Sequence, residues 1–350
     1  MRNLRRLARI ILLLSIIGGA SAGVTAQTVQ FDYAHATLVS KAVLSGNFDA
    51  ATVEAIRALP ETGAITRKLR LKDDNANLDY LRKLRGDPAA VEAAGSVIAE
   101  LARAHGGKFG PVAGEVTRQL KQYVPAQFSA QLHVHFIFGS NSGGFALDGA
   151  PNDVYVNLAM FSRATALELS EMVAHELMHA VQANIMRPPP QPAAGAARAD
   201  AGPAWLNRHL YDLEQEGTAE LFTHQVANRP ASAYSAGNKA RIARNSARMW
   251  SIARMFESLG WRLYTAPPAD EDAYDRIYTL MFTTDFDETA YDLGWLMAST
   301  IEKHDGKAAL FALFKEEPKQ FLLRYQALAL ADGNLPSFSD AFVNIVKALP

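Results

Sequence analysis

The chain has 350 residues, 49% of them hydrophobic, a formal net charge of −1 and no cysteine. Length and composition are those of a globular protein with one large or two modest domains. The near-neutral charge excludes nucleic acid as the main partner, and the missing cysteine excludes both disulfides and a lipidated amino terminus.

Residues 1–26 read as a signal peptide. Arg2, Arg5, Arg6 and Arg9 form a positive stretch and Ile10 to Ile17 a short apolar one, and Val24-Thr25-Ala26 offers small residues for cleavage after Ala26. The apolar run is short for a membrane span, and an uncleaved anchor is the alternative. Loss of the four arginines takes the formal charge from −1 to −5. The expected location is periplasmic or secreted, with no stable membrane insertion once the signal is removed.

From Phe31 to about Val124 the spacing of apolar residues is helical, over Asp32–Leu44, Asp49–Leu59, Asn75–Leu84, Pro88–Ala104 and Pro111–Val124. Asp49 and Asp87 are expected caps, the latter followed by proline at the first helical position. Residues 27–125 therefore form an expected N-terminal helical region, with 126–350 as the catalytic region. At Gln131 the pattern changes. Leu132 to Phe138 alternates and is rich in β-formers, Gly139 to Gly149 reads as a glycine-rich loop, and Asp153 to Leu158 reads as a second strand. A small antiparallel sheet is expected, able to hold an extended peptide along its edge. His133 and His135 share one face of the first strand. A metal pair is one reading of them, a polar face of the sheet the simpler one.

The next helix carries His175-Glu176-Leu177-Met178-His179, with Thr165 or Ser170 as its expected cap. Residues four apart lie on one helical face, so both imidazoles can point at one metal ion. Glu176 lies one position round, placed to act on a water as a general base. An amphipathic helix with two partly buried histidines is the bland alternative. Residues 187–203 are rich in proline, alanine and glycine and read as a flexible surface loop.

A helix from about Pro203 to Val226 follows, carrying Glu214, Glu216, Glu220 and His224. Catalytic zinc takes three protein ligands plus water, so a third ligand is needed. Glu216 is assigned to that place, and Glu220, on the same face, is expected to orient a ligand histidine through its other ring nitrogen. A solvated acidic stripe is the alternative. His224 is expected behind the ligands or at the surface, and Gly217 and Ala219 should permit close approach of a neighbouring helix. The rest of the chain reads as helices. Arg241, Arg244, Arg248 and Arg254 recur at helical spacing and are expected to form a solvated face.

His175-Glu176-x-x-His179 followed by Glu216-Gly217-x-Ala219 resembles the gluzincin group of metallopeptidases, and the arrangement looks most like bacterial zinc-dependent peptidases of unassigned role. The resemblance implies zinc on His175, His179 and Glu216, Glu176 as base, and a zincin-like catalytic region in an α+β, mostly helical fold. Tyr291-Asp292-Leu293-Gly294 resembles a Tyr-x-x-Gly segment of the gluzincin aminopeptidases, which implies that Tyr291 donates its hydroxyl to the transition-state oxyanion. No Gly-Ala-Met-Glu-Asn segment precedes the motif, so endo- and exopeptidase readings both stay open. The expectation is an exported zinc peptidase acting on peptides or proteins. Its rivals are a non-hydrolytic metal- or peptide-binding module and a helical scaffold with an accidental motif.

Overall fold

A computed structural model describes residues 28–124, 128–147, 149–189 and 201–350. The expected signal peptide and most of the expected loop at 187–203 lie outside these residues. The described chain is mostly helical with one four-stranded sheet, the α+β class expected. It forms two compact units, one ending at Val181 and taking in Ser232–Tyr234, the other made of Gln182–Ala231 and Ser235–Pro350. Among the described residues, no helix is long and apolar enough to cross a membrane.

In the first unit, strand β1 (Thr28–Asp32) leads into six helices: α1 (Ala34–Ser45), α2 (Ala50–Arg57), α3 (Pro60–Lys68), α4 (Asp74–Leu84), α5 (Pro88–Ala102) and α6 (Val112–Tyr123). Asp49 accepts a hydrogen bond from the Thr52 amide and Asp87 from the Ala89 amide, so both expected caps are in place. Strands β2 (Gln131–Ile137), β3 (Gly144–Ala146) and β4 (Asp153–Asn157) complete a sheet of order β1-β2-β4-β3.

Three expectations are corrected here. The N-terminal region is not helical throughout, because β1 pairs with β2, Phe31 lying opposite Val134. The glycine-rich loop contains β3. The sheet is mixed rather than antiparallel: β1–β2 and β2–β4 are parallel, and only β3–β4 is antiparallel. Parallel neighbours need a long crossover, and helices α1–α6 supply it between β1 and β2. Central β2 buries Leu132, Val134 and Phe136 on one face, where Tyr33 stacks on Phe136 at 4.4 Å.

Helix α7 (Ala166–Ile185) follows β4 and starts in a reciprocal cap. The Glu168 amide donates to Thr165 Oγ1, and the Thr165 amide and hydroxyl donate to Glu168 Oε2. Thr165 is thus the cap, while Ser170 lies within the helix and donates to the Ala166 carbonyl. Lys108 fixes the approach to this helix. Its Nζ donates to the carbonyls of Phe161, Ser162 and Ala164 at 3.0, 2.7 and 3.0 Å.

The second unit is helical: α8 (Gly202–Thr223), α9 (Ala236–Ala247), α10 (Met249–Thr265), α11 (Glu271–Phe282), α12 (Thr289–Asp305), α13 (Lys307–Leu313), α14 (Lys319–Asp332) and α15 (Asp340–Lys347). Its centre is the crossing of α8 and α12. A Cβ added to Gly217 would lie 2.3 Å from the carbonyl carbon of Gly294, and one added to Gly294 would lie 2.6 Å from Gly217 Cα. The close approach expected of Gly217 is therefore realised, backbone against backbone. Since backbone cannot swing aside, Gly217→Ala or Gly294→Ala should destabilise the protein by about 2–3 kcal/mol or more, in the manner of an overpacked core. Gly237→Ala, at an exposed position of α9 with nothing within 4 Å of the new methyl, should be neutral or slightly stabilising. Urea midpoints of the three variants check this contrast.

Candidate metal centre

Twenty residues of α7 give the His-Glu-x-x-His segment a regular helical frame, with Val173, Ala174, Leu177, Met178 and Val181 buried around it. His175 Nε2 and His179 Nε2 lie 3.2 Å apart, their rings nearly perpendicular at 87°. Two nitrogens each about 2.0–2.1 Å from one zinc ion at a near-tetrahedral angle are separated by roughly 3.3–3.4 Å. The pair fits a shared divalent ion. Both ring nitrogens are also the donor type that zinc favours.

Glu176 is buried, and its carboxylate lies against the backbone of β3. A Cβ on Gly144 would sit 2.2 Å from Glu176 Oε1 and 2.4 Å from its Cδ. Gly144 does not occupy the left-handed region, so its role here is space. The sheet order makes β3 an edge strand, which puts Glu176 beside an edge to which an extended peptide can pair.

The other expected residues belong to the second unit. Glu216, half-buried on α8, shares a hydrogen bond with the Tyr291 hydroxyl, which donates to the carboxylate. Tyr291 also shares one with Tyr278 of α11. Burial and the neighbouring Glu216 carboxylate push the Tyr291 hydroxyl well above the ordinary tyrosine range, so it stays a proton donor. On either side of Glu216, Gln182 from the last turn of α7 donates to the Gln215 carbonyl and to Thr218 Oγ1, both at 2.7 Å.

Glu220 is buried and accepts from Thr223 Oγ1 at 2.7 Å. Burial pushes its carboxyl up to about 7 against the pull of Arg241. Glu214 is 1% exposed, and neither of its oxygens is hydrogen-bonded. The solvated acidic stripe is thereby excluded. His224 is not a surface residue: it is buried, with its ring stacked on Trp295 at 3.4 Å.

The basic run is corrected at one position. Arg241 is buried, and its Nη1 pairs with Asp292 Oδ2 at 2.9 Å. Asn245 Nδ2 donates to the same oxygen and to the Asp287 carbonyl. Arg244 and Arg248 pair with the Asp287 carboxylate at 2.7 and 2.6 Å. Asp287 and Glu288 both adopt the left-handed conformation, at φ 63° and 47°. These side chains clamp the strained turn that leads into α12 and Tyr291. Arg244, Arg248 and Arg254 keep the exposure expected of the run, Arg254 pairing with the buried Glu257 three residues on. In the sequence Gly144 reads only as part of the glycine-rich loop, and nothing distinguishes Tyr278. A glycine whose value is space leaves no mark in a single chain, and Tyr278 reads there as one more helical aromatic.

No curated protein and no solved structure matches the chain. The family model described as "Putative zinc dependent peptidase (DUF5700)" matches residues 97–334, a stretch that includes His175, Glu176, His179, Glu216 and Tyr291. The cofactor that description names is the one the α7 nitrogens fit, and by a match covering more than half of its length the chain belongs to this zinc-dependent peptidase family.

Proposed function

We propose that the chain is an exported zinc peptidase of the periplasm or medium in which His175, His179 and Glu216 hold the ion and Glu176 is the general base. The observation that carries this reading is the 3.2 Å convergence of the two Nε2 atoms with Glu176 buried beside them on the same helix. Glu216 as third ligand is supported from α8. Gln182 of α7 bonds to the Gln215 carbonyl and to Thr218 Oγ1, which holds the turn of α8 that carries Glu216.

Zinc, when bound, supplies Lewis acidity that brings the pKa of water toward neutrality and polarises a carbonyl oxygen. Glu176 takes a proton from the attacking water at its carboxylate and returns it to the leaving amine nitrogen. Tyr291, kept protonated by its surroundings, is the proposed donor to the developing oxyanion, an interaction worth about 3 kcal/mol. Glu220 is proposed to fix a ligand imidazole through its second ring nitrogen. The free edge of β3 is the proposed seat of the peptide substrate.

Three measurements bear on these roles. Glu176→Gln should keep stoichiometric zinc and lose hydrolysis of a mixed peptide library by a factor of about 10²–10⁴; wild-type turnover would remove Glu176 from the base role. Gly144→Ala should act on the same carboxylate from outside, cutting kcat while zinc content stays constant. Tyr291→Phe should lower kcat by about 10²–10³ with zinc affinity unchanged. A variant that instead loses zinc and recovers full kcat at saturating metal would restrict Tyr291 to orienting Glu216. If the zinc-loaded wild type cleaves nothing in the library, the non-hydrolytic binding module takes precedence.

A further inference from the structure

A second group of metal-type donors lies on the sheet of the first unit. Alternation along β2 puts His133 and His135 on the face opposite Leu132, Val134 and Phe136. The parallel register pairs His133 with Asp153 of β4, which brings a carboxylate onto the same face. Asp153 Oδ1 lies 3.0 Å from His133 Nδ1 and 3.1 Å from His135 Nε2. The donor atoms of all three residues lie within 4.8 Å of one another.

Carboxylates flank both ring nitrogens of His135. Glu61, from the first turn of α3, lies with Oε1 2.8 Å from His135 Nδ1. Glu61 is 2% exposed, and its Oε2 is buried without a hydrogen bond. With a metal ion on Nε2, the hydrogen on Nδ1 would be directed at Glu61 Oε1 and the ion would stand between Nε2 and the Asp153 oxygen. Buried carboxylate, imidazole and metal in series is the arrangement by which proteins orient a ligating histidine. The Tyr155 ring stacks on His135 at 5.0 Å and 18°, and Phe145 stacks on Tyr155 at 4.9 Å, so the imidazole plane is held from the side. The separations of 3.0 and 3.1 Å are close to the roughly 3.3 Å between neighbouring ligands of a tetrahedral zinc ion.

We propose that His133, His135 and Asp153 form a second binding site for a divalent transition ion, zinc by donor type, with Glu61 as the positioning carboxylate behind His135. Two imidazoles and one carboxylate suit zinc better than calcium or magnesium, which prefer oxygen alone. The side chains of His133 and Asp153 are 34% and 30% exposed, so the fourth position is open to water. The proposal does not depend on the α7 centre.

The test is a zinc count on the full chain, stripped with chelator and reloaded, in four forms. The wild type should hold two zinc ions per chain, H133A/H135A one, H175A/H179A one, and the variant with all four changes none. In the H175A/H179A background, titration of zinc against a chromogenic chelator should show one equivalent, with affinity lowered about 10–100-fold by Glu61→Gln. His133 is at the surface, so H133A alone should fold and still lower that affinity. Should H175A/H179A fail to fold, the comparison of wild type with H133A decides. A count that is the same with and without His133 and His135, or a titration in which zinc never competes with the chelator, overturns the proposal in favour of an ion-free network of histidines and carboxylates.

Discussion

The contact between Gly217 and Gly294 sets the spacing on which the second unit is built. With no side chain at either position, α8 and α12 meet at backbone distance. Glu216 precedes one glycine by one residue and Tyr291 precedes the other by three, so the same crossing brings carboxylate and hydroxyl into a hydrogen bond. A methyl group would not only cost packing energy. It would part these two groups, because the helices that carry them would have to separate.

Such a crossing leaves the start of α12 as the weak point, since Asp287 and Glu288 are forced into a conformation that non-glycine residues disfavour. Arg241, Arg244, Arg248 and Asn245 meet that cost from α9 and its C-terminal end. Asp292 is 1% exposed, and burial pushes its carboxyl up while Arg241 draws it back. A buried ion pair of this kind contributes little net stability, yet removing one partner is expensive because the other charge is then stranded. Its value lies in fixing the turn, and with it the position of Tyr291.

In the first unit, local chemistry was the legible part. The start of α7 follows from Thr165 and Glu168, three residues apart, and the spacing of His175 and His179 fixes their common face before any packing is known. Asp49 and Asp87 cap helices for the same local reason. What could not be read was partnership at a distance. Alternation in Leu132–Phe138 says which side chains share a face but not which strand lies alongside, so parallel pairing with β1 and β4 stayed hidden. Five residues of β1 and three of β3 are too short to outweigh a neighbouring helical period or a glycine-rich composition. Arg241 recurs with its fellow arginines at the spacing of an exposed face, and only the partner across from it reveals that this one position is buried.

The two groups of histidines show where that boundary falls. His175 and His179 meet because a helix repeats every 3.6 residues, so their geometry is written in a five-residue segment. His133 and His135 share a face for an equally local reason, but a pair two apart on a strand has neither a carboxylate nor a fixed tautomer of its own. Asp153 reaches them only through the register of β2 and β4, and Glu61 only through the packing of α3, a helix that starts at Pro60 within a stretch whose period the sequence did not resolve. A motif is legible when one element supplies its geometry. Where several elements supply one ligand each, the same chemistry becomes visible only after the chain has folded.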